Sequence, residues 1–196
     1  MSAALGKKPS SLDRALLFAR NFFKHPKMLG SMIPSSRFLI NRLLRQVNWT
    51  TARVFVEYGP GVGVFTTEIL RRMHPDAKLV VFETNTDFVD FLRRAESDPR
   101  LHVVGGSAEQ VGAVLEQLGL GPADYIISGI PYSTMPPTVR TTILETSRAW
   151  LKPQGAFLVY QFSRSSLPFL QRVFKRVDLD FEPLNILPAT LYYCRL

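Results

Sequence analysis

Three glycines and two acids, set at the ends of apolar runs, carry the clearest chemistry in this 196-residue chain. The run Val54-Phe55-Val56 leads into Glu57-Tyr58-Gly59-Pro60-Gly61-Val62-Gly63, and Val64, Phe65, Glu68, Ile69 and Met73 follow at helical spacing. An apolar run ending in an acid reads as the first strand of a parallel sheet, and the glycines let a ligand approach the backbone of the turn. A dinucleotide fingerprint would set its last glycine three residues beyond the second, where Val64 stands, so the helix start is not built for a pyrophosphate. Glu57, placed before the glycines, suits a cationic ligand end better. A second strand, Lys78-Leu79-Val80-Val81-Phe82, ends at Glu83, about 20 residues on, where a carboxylate meets the hydroxyls of a ribose. A third, Leu101-His102-Val103-Val104, runs into Gly105-Gly106-Ser107-Ala108, which sets a short polar side chain, Ser107, at the end of that strand as well. A structural turn, with Glu83 as a helix-start acid and Ser107 as an N-cap, would use the same residues.

The elements that position these groups follow from periodicity. Ser10-Ser11-Leu12-Asp13 opens a helix with Leu12, Ala15, Leu16, Ala19, Phe22 and Phe23 on one face and bases on the other. Pro34-Ser35-Ser36 offers a serine cap for a second helix carrying Phe38, Leu39, Leu43, Leu44 and Val47. From Arg53 onward strands and helices alternate, so the expected fold is α/β, a mostly parallel sheet covered on both faces. Further elements are a helix near 111–118, a strand over 125–128, a helix after Pro136-Pro137, a strand over 156–162 and a helix over 167–174. Extended segments near 177–181 and 190–195 are expected to form an antiparallel closing pair. This divides the chain into a basic helical segment, 1–49, and a ligand-binding domain, 50–196. Gly59 to Gly63, Glu83 and Ser107 all follow strands, at the carboxyl edge where open α/β sheets bind ligands.

The charge is concentrated at one end. Residues 1–45 hold nine Lys or Arg against Asp13 alone, which accounts for the whole formal charge of +8. That asymmetry points to an anionic surface, membrane or nucleic acid. Cys194 is the single cysteine, so no intrachain disulfide forms. No apolar run reaches the roughly 18 residues of a spanning helix, and no signal-peptide pattern opens the chain, so a cytoplasmic protein is expected.

The E-x-G-x-G-x-G order resembles the cofactor loop of class I S-adenosylmethionine-dependent methyltransferases. Ser128-Gly129-Ile130-Pro131-Tyr132, after the fourth strand, resembles the N/D/S-P-P-Y/F/W loop of those that methylate nitrogen, although Gly129 and Ile130 depart from the usual pattern. With Phe22-Phe23-Lys24-His25-Pro26-Lys27 and Gly30-Ser31-Met32-Ile33-Pro34-Ser35-Ser36-Arg37-Phe38-Leu39, the whole resembles bacterial phospholipid N-methyltransferases related to ribosomal RNA adenine dimethylases. The resemblance implies a seven-stranded, Rossmann-like sheet with an antiparallel closing strand. It implies S-adenosylmethionine held by Ser35, Ser36, Glu57, Tyr58, Gly59, Gly61, Gly63, Glu83, Thr84, Ser107, Ala108 and Ser128, with S-adenosylhomocysteine as product. Ser128, Gly129, Ile130 and Tyr132 are then the catalytic loop, its carbonyls and leading polar group holding an amine beside the ring of Tyr132.

The implied substrate is phosphatidylethanolamine and its mono- and dimethyl derivatives, on the way to phosphatidylcholine. Tyr160, Gln161 and Arg164, at and just after the fifth strand, are expected to meet the amine and the lipid phosphate. Lys7, Lys8, Arg14, Arg20 and Lys24 would rest on anionic headgroups at the inner face of the cell membrane, with Phe22 and Phe23 at the acyl boundary. The same stripe would serve equally for packing on the sheet. No nucleic acid is expected, because the basic segment lacks interleaved aromatics and the chain ends at Leu196 without a further helical domain. RNA adenine N6-methylation is the alternative, and a non-catalytic, cofactor-binding membrane protein a third reading.

Overall fold

The computed structural model describes residues 35–196. In chain order these form α1 (Arg37–Leu44), β1 (Val54–Tyr58), α2 (Val64–Arg72), β2 (Lys78–Glu83), α3 (Thr86–Ala95), β3 (Leu101–Gly105), α4 (Val111–Gln117), β4 (Ala123–Ser128), α5 (Pro137–Ala149), β5 (Leu151–Gln161), α6 (Leu167–Val173), β6 (Arg176–Glu182) and β7 (Ala189–Arg195). One seven-stranded sheet has the order β3-β2-β1-β4-β5-β7-β6. β7 alone runs antiparallel, to both β5 and β6.

Alternation along the central strands divides the core into two layers. Phe55, Leu79, Val81, Ile127 and Leu158 face one side, where Leu39, Leu43 and Leu44 of α1 and Phe65 and Ile69 of α2 cover them. Val56, Val80, Ile126, Phe157 and Val159 face the other, beneath Val111 and Leu115 of α4, Ile143 and Leu144 of α5 and Leu170 of α6. Both faces are covered, so the strands read as near-continuous apolar runs.

The antiparallel pair expected from the two extended runs closes the sheet. β7 lies inside it and β6 takes the edge, because every residue from Ala189 to Cys194 is buried while β6 exposes alternate positions. Ser36 caps α1 as expected, its Oγ accepting from Leu39 N at 3.2 Å. Lys7, Lys8, Arg14, Arg20, Phe22, Phe23 and Lys24 lie outside the described residues. Among the described residues no helix is long and apolar enough to cross a membrane.

Candidate active site

A cavity of about 230 Å³ opens at the carboxyl ends of β1, β2 and β3. Tyr58, Gly59, Gly61, Glu83, Thr84, Ser107 and Ala108, seven of the expected cofactor positions, line it. Gly59 and Gly61 both have positive φ, for different reasons. A Cβ on Gly59 would stand 2.7 Å from Cγ2 of Ile130, so this glycine lets the first loop pack against the loop after β4. A Cβ on Gly61 would meet nothing within 4 Å, and its backbone N–H instead donates to Glu83 at 3.1 Å.

Glu83 is 7% exposed, and its other carboxylate oxygen accepts from Asn85 N at 2.9 Å. Burial raises its pKa, opposed by the N–H groups of Asn85, Gly61 and Thr84. Glu57 is more deeply placed and accepts from the Thr66 hydroxyl at 2.7 Å. Burial pushes Glu57 up to about 8, the Thr66 bond opposes the rise, and the charge of Glu83 adds to it. Two incompletely compensated acids under a glycine turn form a site that gains from an incoming cation. Ser107 accepts from Glu109 N at 3.3 Å and donates to the Glu109 carboxylate at 2.8 Å, so it is both an N-cap and a cavity residue.

Several expected contacts lie elsewhere. Tyr58 borders the cavity, but its hydroxyl pairs with Ser147 at 3.0 Å and its ring packs edge-on to Phe82 and Phe157. Ser36 serves α1 and the β6–β7 turn, donating to the Leu184 carbonyl at 2.8 Å, and does not line the cavity. Ser35 bonds the Tyr160 hydroxyl. Gly63, at φ 76, begins α2 against Leu92.

The loop after β4 differs most from expectation. Tyr132 is fully buried, its hydroxyl 2.7 Å from that of Ser128 and its ring edge-on to Phe157, so the ring is a core element and not a cavity wall. Ile130 and Pro131 line the cavity instead. The Ile130 carbonyl already accepts from Tyr132 N at 3.1 Å and from Gln161 Nε2 at 2.9 Å. Gln161 is 7% exposed and donates also to the Tyr160 carbonyl, so it braces this loop and does not face a substrate. Tyr160 stacks on Phe65, and its hydroxyl stands 2.2 Å from where a Cβ on Gly129 would lie. Burial and the nearby acids Glu57 and Glu83 hold that hydroxyl up at about 12. Arg164 is exposed beyond β5.

The sequence reading missed Phe82, Met135, Val139 and Ile143 in the cavity wall. The four-residue spacing of Val139 and Ile143 on α5 was the available signal. It also missed Thr66 and Asn185 as partners of Glu57 and Ser36. A carboxylate at the end of β2, open glycine backbone and apolar walls fit a nucleoside, and the buried acids fit a cationic arm. The residues present therefore fit S-adenosylmethionine.

A glycine turn and a buried acid at the carboxyl edge of this sheet are the features of a Rossmann-like nucleoside-binding fold. The ribosomal RNA adenine dimethylase profile matches residues 22–121. The ornithine lipid N-methyltransferase of Singulisphaera acidiphila is 35% identical over 91% of this chain and 94% of its own length. Ribosomal RNA small subunit methyltransferase A of Legionella pneumophila is 26% identical over 57% of this chain, and the match spans 41% of that enzyme. Among solved structures, PigF with SAH superposes with a TM-score of 0.59 at 17% identity, covering 97% of this chain and 63% of PigF. The chain belongs to the ribosomal RNA adenine dimethylase family and is an S-adenosylmethionine-dependent methyltransferase.

Proposed function

We propose that this enzyme methylates the primary amine of a membrane aminolipid, with ornithine lipid and phosphatidylethanolamine as the two candidate headgroups. The observation that carries this reading is the correspondence over nearly the full length of both chains with an enzyme named for lipid N-methylation. The family match to RNA adenine dimethylases favours a second reading, a base as acceptor. Against it, Tyr132 packs in the core, where its ring is not placed to stack on a base.

Bound S-adenosylmethionine supplies an electrophilic methyl group on a sulfonium sulfur. Glu83 would hold the ribose hydroxyls, Gly61 would give the ligand access to the backbone, and Glu57, whose carboxyl is held up at about 8 by burial, would ionise against the positive charge and balance it. Phe82, Ala108 and Ile130 cover the base. Gln161 fixes the loop through the Ile130 carbonyl, and Ile130 and Pro131 form the cavity wall that the amine would contact. That contact aims the nitrogen lone pair at the reacting carbon, about 3–3.5 Å away in a productive complex. His74 lies before β2, at the amino end of the sheet, and His102 within β3. Desolvation in the apolar cleft favours the neutral amine without a dedicated base.

The test supplies methyl-labelled cofactor with vesicles containing ornithine lipid, vesicles containing phosphatidylethanolamine, or ribosomal RNA, and separates the products by chromatography. Label in a lipid amine is the expected result and identifies the headgroup. Label in RNA alone would overturn the proposal.

A further inference from the structure

The turn between β6 and β7 holds apolar side chains out in solvent on the same edge of the sheet as the cofactor cavity. Leu184 is 61% exposed, Ile186 72% and Leu187 48%, and Phe181 at the end of β6 is 49% exposed. Exposed edges usually carry charge that discourages association. Here Asp180 and Glu182 turn inward, pairing with Arg42 of α1 and with Arg45 just after it, and the exposed pair Arg176–Asp178 lies at the far end of β6 from the turn.

The backbone of the turn is well bonded while its side chains are not covered. Ser36 N donates to Asn185 Oδ1 at 2.7 Å, and Leu184 N donates to Glu182 Oε1 at 2.8 Å. Asn185 Nδ2 donates to the carbonyls of Ile186 and Leu187 at 3.0 and 3.1 Å. Leu187 is held at φ 62, a conformation that favours glycine and that leucine rarely adopts. Polar atoms bonded within the turn and leucines facing outward are the reverse of what water alone favours, and a contiguous apolar projection of this kind marks an interaction site.

Position and charge select the partner. Gln161, Thr190 and Phe181 share one row across β5, β7 and β6, so the turn rises level with the residue that braces the acceptor loop. Two strand spacings separate them, about 10 Å. Residues 1–34 join the fold at Ser35 and Ser36, which touch Tyr160 and this turn, and they carry Lys7, Lys8, Arg14, Arg20, Lys24 and Lys27 against Asp13.

We propose that Leu184, Ile186 and Leu187 enter the acyl boundary of an anionic membrane, with the acceptor loop facing the lipid surface and the positive charge of residues 1–34 adding attraction to the headgroups. The choice of a membrane rests on the aminolipid reading, but docking can be measured without catalysis. Apolar insertion supplies affinity in proportion to buried area, and adjacent cations add attraction to anionic lipid.

The experiment compares the full chain with the variant Leu184→Ser, Ile186→Ser, Leu187→Asn, asparagine being tolerant of positive φ. Both are sedimented with vesicles of phosphatidylcholine containing a minority of phosphatidylglycerol, lipids that carry no free amine. The expected result is binding about tenfold or more weaker for the variant, with an unchanged thermal midpoint. Its kcat/KM on a water-soluble, short-chain aminolipid should equal that of the parent. Equal vesicle binding by the two proteins, or none by the parent, would overturn the proposal. So would a dimer in sedimentation velocity that the substitutions dissolve, since a second copy would then be the occupant. Loop-dependent binding without methyl transfer to any lipid would leave docking standing and remove the aminolipid function. Lipid methylation with loop-independent binding would do the converse.

Discussion

The two halves of the sheet use their carboxyl ends in opposite ways. At β2 and β3 the polar groups of Glu83 and Ser107 line the cavity, and the glycine turn after β1 lies open beside them. At β4 and β5 the polar side chains bond to their own framework, Ser128 to Tyr132 and Gln161 to Ile130, while Ile130 and Pro131 face the cleft. The cofactor half is a recognition surface made of side chains. The acceptor half is a braced frame whose exposed chemistry is backbone and apolar surface. Such a frame offers shape and position and, among the described residues, no aromatic ring for stacking, which is what the aminolipid proposal requires of it.

The comparison is most exposed to Glu83→Ala. Removing the carboxylate takes away charged hydrogen bonds to the ribose, so cofactor affinity measured by calorimetry should fall by a factor of about 100. The same variant leaves the N–H groups of Gly61 and Asn85 without their carboxylate partner, so the thermal midpoint should fall by a few degrees, about 2–4 °C per kcal/mol lost. Affinity within threefold of the parent would remove Glu83 from the recognition surface. Gln161→Ala tests the other half. The Ile130 carbonyl would lose its 2.9 Å partner, and kcat should fall about tenfold with cofactor affinity unchanged. A matching loss of cofactor affinity would mean that the two halves are not separable.

Glu57→Gln gives a smaller effect with a definite sign. The folded-state pKa of Glu57 is about 8, against an ordinary value of 4.5. Below the lower value both states are protonated and the group is neutral in its effect. As pH rises toward about 8 the unfolded chain loses its proton first, so stability falls across that window and levels off above it. The glutamine variant should flatten this slope in urea midpoints and gain about 1 kcal/mol or more at pH 8, while binding the cofactor more weakly. A parallel pH profile in the two proteins would show that Glu57 is not buried as a neutral acid.

The same division explains what the sequence disclosed. A strand run ending in an acid or a glycine turn is a local signal, so β1, β2, the cavity positions Gly61, Glu83 and Ser107, and the helix after Pro136-Pro137 were all legible from a few neighbouring residues. The acceptor half depends on distant partners. Gln161 finds its carbonyl 31 residues away and Ser36 finds Asn185 149 residues away, and no local pattern encodes either. The antiparallel hairpin was visible as two extended runs, but its order was not. That β7 goes inside follows from the unbroken burial of Ala189 to Cys194 against the alternation of β6, a contrast that only the assembled sheet decides. The ring of Tyr132 is the sharpest case, since an aromatic after a proline in such a loop fits a substrate wall and a core position equally well.

Tyr132→Phe discriminates between those two positions by a small effect. The hydroxyl bonds only Ser128 in a site that is fully buried at both residues, so its loss leaves one buried hydroxyl short of a partner. That costs about 1 kcal/mol, a fall of ~2–4 °C in thermal midpoint for a chain of this size. The ring and its edge-on contact with Phe157 persist, so the rate on the lipid amine should stay within about twofold, far less than the loss expected for Gln161→Ala. A rate loss of a hundredfold with an unchanged midpoint would place the hydroxyl at the reacting nitrogen, and the acceptor half would then be a recognition surface of the same kind as the cofactor half.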